Sequence, residues 1–434
     1  CRHHVLLEPV PPDIPFPADI MILNFMKRER REKKGETMSG ESTSYKKSFR
    51  ISMAVIFLTQ AFLAVFMLYP SVLRDQGFSL GLSGWLMSIF NICSTLGRPL
   101  GAMTTERLGI RTTLLWTSGL VAVFTLPLAF TEHPLLLLSL RGIGGVFWGI
   151  SMVAISSYQG ISIPADRRGS AYAWIAVAYV FPQVTLFPLA DWFASSGMLA
   201  AYFLLAAAVE AAIVVVAAPL PPVRRTDGEN DGPKEWGKWS ELPSLPGFRA
   251  VLATMFLFAF VNASTLQFLP AFLAARGFPA SIFIVPNALT AVALRLVAYR
   301  IMDRIDRQRT IGIVIAAMGF ILAFLPFAPG RGWYVAGGLF YGIVMGMSFP
   351  IVLALMPDIF PDHLRPKGIS LCLFAIDLGF ILSPFFLGYG GQLFGLGNTL
   401  SVTGVLGLLG GSLLHLAWKA KKKEGTPKGG CSVI

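Results

Sequence analysis

The sequence predicts an all-α membrane protein: twelve transmembrane helices arranged as two pseudo-symmetric six-helix bundles. Three observations carry that prediction. Only 14% of the 434 residues are charged and 54% are hydrophobic, whereas soluble domains run nearer one quarter charged. Apolar runs of about 20 residues, the length that crosses a hydrocarbon core, follow one another along the chain. The second half then repeats landmarks of the first.

In chain order, residues 1–48 are polar, proline-bearing and then strongly basic (MKRERREKK), the composition of a disordered tail. A first bundle over 49–220 holds apolar runs at 51–70, 80–100, 112–131, 134–157, 170–190 and 199–219. The polar stretch 221–247 reads as a linker. A second bundle over 248–419 holds runs at 249–270, 280–300, 310–328, 333–356, 368–390 and 398–418. Backbone groups in lipid must be satisfied within the segment, so these runs are helices rather than open strands. Residues 420–434 form a second basic tail. Its ending around Cys431 resembles a prenylation box, but a chain that crosses many times gains little from one lipid, and a solvated tail is preferred.

The net charge of +12 does not point to nucleic acid. In so apolar a chain, lysine and arginine mark cytoplasmic loops. Only Arg74, Arg276 and Arg331 fall in the loops of one face, and the basic turns gather on the other. Both termini are therefore expected in the cytoplasm, with the chain a multi-pass protein of the inner or plasma membrane. Cys1, Cys93, Cys372 and Cys431 form no CxxC pair, which argues against a disulfide framework and a zinc site. No cofactor or metal is expected, and nothing suggests an enzyme.

The repeat decides the architecture. LYPSVLRDQGF (68–78) aligns with FLPAFLAARGF (268–278), matching Pro70 with Pro270 and Gly77 with Gly277. GGVFWGIS and YGIVMGMS match Gly145, Gly149 and Ser151 with Gly342, Gly346 and Ser348 at an offset of 197. Anchors in one order at nearly one offset describe a duplicated six-helix unit, a common plan for transporters. The glycine pairs have the spacing that lets helices approach closely.

The same offset sets Arg98 on Arg295, and Glu106 follows the first as Asp303 follows the second. Both copies, GRPLGAMTTERLGIRTT (97–113) and ALRLVAYRIMDRIDRQRT (293–310), sit at the turn after the second span of their half. An acid flanked by arginines can hold helix ends in one arrangement through charge-assisted hydrogen bonds. If another conformation parts them, the turn biases a two-state equilibrium.

Here the sequence resembles the major facilitator superfamily over about residues 50–418. The family signature between its second and third helices is matched by Glu106, Arg107, Gly109 and Arg111, with Ala102 and Ile110 departing from it. The second copy matches at Asp303, Arg304 and Arg307, with Tyr299 and Asp306 where glycines are usual. The resemblance implies that Arg98, Arg295 and these residues latch the outward-facing state by contact with the start of the eleventh helix, around Lys367–Ser370. Arg98-Pro99 and the stretch PDHLRPKGISLCLFAIDLGFILSP also resemble the efflux-permease branch that includes arabinose-efflux-like and metallophore exporters.

An ionisable residue inside a span is a functional candidate by default. Asp377 lies near the middle of span eleven, which flanks the central cavity in this family. Proton or cation coupling and a helix–helix hydrogen bond are both open readings for it. Arg141 matches the family's fourth-helix arginine, tied to proton transfer or substrate anions; snorkelling is its alternative. Glu210 is central to span six, and a packing role competes with coupling there. Gln60, Tyr69, Asn91, Gln183, Asn262, Gln267 and Asn287 are candidates for a polar cavity, each competing with a hydrogen bond between helices.

The function expected is secondary active transport of a small solute by alternating access, as proton-coupled efflux. Its partners are the solute, protons and the lipid bilayer, and the chain is expected to act as a monomer. No Walker-type phosphate loop appears, which argues against direct use of ATP. An uncoupled facilitator and an uptake symporter are alternatives within the class. A non-transporting receptor or scaffold is the alternative outside it.

Overall fold

The structure, a computed structural model, describes residues 40–163, 168–221, 238–297, 305–361 and 363–424. Among these residues all regular structure is helical. Among the described residues eleven helices are long and apolar enough to cross a membrane, and the shorter apolar helix Ser281–Val297 takes the place of span eight. In order, span one is Gly40–Phe66 continued by Tyr69–Asp75, and spans two to four are Leu80–Leu108, Ile110–Thr125 and Pro134–Ser162. Span five is Arg168–Val180 with Pro182–Ser195, and span six is Leu199–Ala217. Spans seven to twelve are Phe248–Ala275, Ser281–Val297, Arg307–Phe324, Arg331–Ile359, Arg365–Phe394 and Leu396–Glu424.

An even number of crossings brings the two described ends to one face. That face also carries the arginine-bearing turns and is called the basic face below; the other is the opposite face.

Several helices outrun the apolar segments that predicted them. Helix begins at Gly40, inside the stretch 1–48 expected to be disordered, and residues 1–39 lie outside the described set. Span two continues eight residues past its expected end, to Leu108, and span twelve reaches Glu424 inside the expected tail. Hydropathy marks where lipid stops, whereas a helix propagates while its residues tolerate it, and Lys, Glu, Arg and Met do. Of the linker, Trp239–Ser244 forms a short 3-10 turn that buries Leu242. Span five bends at Phe181–Pro182, where proline has no N–H to continue the ladder.

The sequence repeat is a structural one. Gly77 and Gly277 both end their helices at positive φ, 84° and 76°. In each copy the following phenylalanine donates its N–H to the carbonyl five residues back, Phe78 to Leu73 and Phe278 to Leu273, the closure of a Schellman cap. Span four packs on span two where a Cβ at Gly145 or Gly149 would strike the backbone of Phe90 or Ser94. Span ten packs on span eight in the same way, with Gly342 on Asn287 and Gly346 on Ala291.

Spans one to six pack among themselves, as do seven to twelve, and two seams join the groups: span two with eleven, and span five with eight. Span seven adds a contact with the end of span one, where Arg74 donates to the carbonyl of Ala271 at 3.2 Å. Residues 258–273 of span seven are buried without a break, because neighbours surround that part of the helix on all sides. Large apolar side chains such as Trp116, Phe130, Val215 and Leu393 lie exposed, a surface suited to lipid rather than water.

Candidate functional site

Arg98 and Asp377 were read from the sequence for different jobs, and the fold brings them together. The Arg98 guanidinium, on span two, donates to the Asp377 carboxylate, on span eleven, at 2.5 Å. Arg98 is ten residues from the end of its helix, about 15 Å from that end at the rise of an α-helix. The pair therefore lies inside the span and crosses between the bundles. Around it the seam is polar and close. Asn91 donates to the carbonyl of Phe380 at 3.2 Å, and Ser88 to that of Ile381 at 2.8 Å. Toward the opposite face the Trp85 indole N–H meets the Tyr389 hydroxyl at 2.7 Å. A Cβ on Gly84 would strike the carbonyl of Pro384 and crowd Gly388. Asn91, a cavity candidate, is thus part of the seam.

The turn after span two is one residue long. Glu106 and Arg107 sit on the last helical turn, Gly109 caps it with φ 83° and ψ 154°, and the next helix starts at Ile110. That backbone region is open to glycine alone, which accounts for this position of the motif. Glu106, Arg107 and Arg111 are exposed. Among the described residues Glu106 forms no ion pair, so the contact expected with Lys367–Ser370 is not made by it here. The Lys367 ammonium stands 5.5 Å over the Trp239 ring.

In the second copy Asp303 and Arg304 lie outside the described residues. Asp306 starts span nine as its N-cap, accepting the N–H of Arg309 at 3.3 Å. Arg307 pairs with Asp358 of span ten at 2.7 Å. Arg295 is 9% exposed and reaches across the other seam, donating to the carbonyl of Ala176 on span five at 3.1 Å. Its Nε has no hydrogen-bond partner.

Arg141 is 3% exposed and enclosed by rings, its guanidinium carbon 4.0 Å from the Phe66 centroid, 4.3 Å from Phe90 and 5.3 Å from Tyr69. Neither its Nε nor the Tyr69 hydroxyl has a hydrogen-bond partner. Cation–π contact compensates part of the desolvation, but no acid faces the charge among the described residues. The arginine does not snorkel; it points into the first bundle.

Glu210 is fully buried, and neither carboxyl oxygen meets hydrogen-bond geometry, although the Ser118 hydroxyl faces it. Ser118 in turn lies 3.3 Å from Ser151, so Glu210 belongs to a polar knot between spans three, four and six, away from the seams. Asn262, Gln267 and Asn287 are buried, and among the described residues their side-chain oxygens have no hydrogen-bond partner. Gln183 is also buried, and the Gln60 amide N–H donates to the sulfur of Met152 at 4.0 Å.

Sequence reasoning missed Asp191. It falls one residue beyond the apolar run assigned to span five, yet the helix continues to Ser195 and buries it. Its Oδ2 accepts the N–H of Ser281, at the start of span eight, at 2.8 Å. An acid beside a span boundary was the available signal. Among the described residues no three metal-ligating side chains gather.

Comparison with known proteins agrees with this arrangement. The family model described as Major Facilitator Superfamily matches residues 51–361 and 282–432. A Bacillus subtilis relative described as the uncharacterized MFS-type transporter YceJ is 24% identical over 315 residues, 68% of this chain and 78% of the relative. A solved bacterial homolog of the human lysosomal transporter Spinster superposes with a TM-score of 0.68 at 16% identity, covering 90% of this chain and 99% of its own. The Escherichia coli xylose transporter XylE, inward open, gives 0.66 at 18% identity over 85% of this chain and 95% of its own.

Proposed function

Because the chain belongs to the Major Facilitator Superfamily, we propose that it exports a small solute by alternating access, in exchange for protons. The basic face is then the cytoplasmic face of a cell membrane, as the distribution of lysine and arginine favours. The observation that carries the coupling is the Arg98–Asp377 pair, a carboxylate at membrane depth that holds the bundles together. A proton taken up by Asp377 removes the negative charge that Arg98 binds. The crossing contact weakens, and the two bundles can rock apart on that side. Loss of the proton restores the pair. Transport and proton movement are linked because one carboxylate serves both, and the linkage is worth only the differential affinity of the proton for the two states.

Arg141 supports the same reading. A buried cation with aromatic neighbours and no acid beside it among the described residues is costly to keep and answers a negative charge arriving during the cycle. Asn262, Gln267 and Asn287, with free acceptor oxygens, are the side chains best suited to contact the solute. Their number favours a polar cargo over a purely apolar one.

The test is a solute screen in proteoliposomes with an imposed pH gradient, comparing the parent with Asp377→Asn. The expected result is gradient-driven flux in the parent, and in the variant only exchange down the solute gradient. Equal, gradient-independent flux in both proteins would leave a facilitator. Failure to move any solute, together with specific binding of a protein partner, would favour a scaffold.

A further inference from the structure

We propose that Asp191 is the latch of the opposite face: a positioning residue whose carboxylate ties span five of one bundle to the start of span eight in the other, and whose release accompanies opening of that face. The inference rests on alternating access but not on proton coupling.

Four observations support it. Asp191 is 6% exposed and accepts the Ser281 N–H at 2.8 Å. The N–H of Ala280 and the hydroxyl of Ser281 face the same carboxylate. Span eight starts there, so the acid also meets the positive end of a 17-residue helix, where a negative charge is favoured. Finally, the 197-residue offset places Asp191 on Gly388 and Ser281 on Gly84, and Gly84 and Gly388 are the residues that close the other seam at the same depth. The two seams therefore close one face at equivalent points. One does so by glycines in van der Waals contact, the other by a charge set into a helix start. Beside the glycines the one seam carries a neutral hydrogen bond, from Trp85 to Tyr389, so the carboxylate of the other supplies the charged part of the closure.

Ser281 N–H is a first-turn donor with no partner inside its own helix, so separating the bundles leaves it to water and leaves Asp191 uncapped. The cost falls only on the state that opens the opposite face. Removing the bond should shift the balance toward that state without altering either bundle.

The experiment measures distance between the bundles by double electron–electron resonance in liposomes, without solute or gradient. Spin labels are placed at the exposed positions Ser196 and Pro279 in a background lacking Cys1, Cys93, Cys372 and Cys431. Asp191→Ala should raise the ratio of the long- to the short-distance population about tenfold, the effect of one hydrogen bond to a charged group. Asp191→Asn, which keeps an acceptor oxygen, should give a smaller rise. Ser281→Pro removes the donor from the other side at the first helical position, where proline is tolerated, and should reproduce the effect of Asp191→Ala. It also decides the matter should Asp191→Ala fail to fold. Distance distributions identical to the parent in folded Ser281→Pro would overturn the latch. Loss of coupling in Asp377→Asn with these shifts intact would leave the latch standing, and unchanged distances would remove it alone.

Discussion

The two seams are built from equivalent positions and differ in where each keeps its acid. Arg98 and Arg295 are 197 residues apart, and each crosses from its own bundle to the other. Arg98 finds the Asp377 carboxylate, and among the described residues Arg295 finds only the carbonyl of Ala176. The position of span five equivalent to Asp377 is Val180. At the other end the arrangement reverses: span five carries Asp191, and span eleven carries Gly388. Among the described residues each seam thus has one carboxylate, one toward the basic face and one at the opposite face. A duplicated frame with charges at opposite ends can favour closure on either side in turn, whereas a symmetric frame would tie both ends of one seam.

The largest effect should come from unbalancing the Arg98–Asp377 pair. Arg98→Ala or Asp377→Ala leaves one charge inside the seam. For a fully buried pair such a loss costs about 3–5 kcal/mol. With the Arg98 side chain 39% exposed, about 2 kcal/mol is expected. Solute flux should fall at least about tenfold in either single variant. The double alanine variant should be more stable in thermal unfolding than the two losses added together, because contacting residues are coupled. Strict additivity would show that the pair does not act as a unit.

Next are the two turns. Gly109→Ala forces a side chain into a glycine-only backbone region and should lower stability by about 1–3 kcal/mol. Asp306→Ala, at the equivalent position, removes an N-cap and should cost about 1 kcal/mol. Both are read by thermal unfolding in detergent. If Asp306→Ala proved the more damaging, the second turn would depend on more than its cap.

A third change would make the seams alike. Val180→Asp places an acid one helical turn from Ala176, on the same side of span five, where Arg295 can reach it. A charged link should then tie the second seam as well and slow flux several-fold, about 1 kcal/mol of added closure. The link exists only while the new acid is ionised, so the slowing should be present at high pH and relieved as pH falls. A uniform slowing at all pH values would point to a packing defect instead.

How much of this was readable beforehand follows from the range of each interaction. Twelve apolar runs and the repeat are local or periodic, and they gave the helices, the glycine contacts and the pseudo-symmetry. Arg141 and Asp377 stood out because charge in an apolar run is conspicuous, and Arg98 because the repeat sets it on Arg295. That Arg98 meets Asp377, 279 residues away, follows only from the packing of span two on span eleven. Asp191 was hidden by a boundary drawn on hydropathy, since the helix extends past the last apolar residue of the run. Asp306 looked like a lost glycine and is instead a helix cap, because a turn can be made by a positive φ or by a side chain that bonds the next N–H.

The smallest effect belongs to Arg295→Gln, and it bears most directly on the comparison. Arg295 is 9% exposed, has one neutral acceptor, and rests with its guanidinium 5.5 Å from the Phe349 ring. Glutamine retains a donor for the Ala176 carbonyl and removes a buried charge that no acid balances among the described residues. A weaker, neutral crossing bond and relief of desolvation act in opposite directions, so stability should change by less than about 1 kcal/mol. Flux should stay within about threefold of the parent, with the same response to a pH gradient. A loss as deep as that of Arg98→Ala would mean that Arg295 meets a negative group in another state of the cycle. The second seam would then share the coupling proposed for the first.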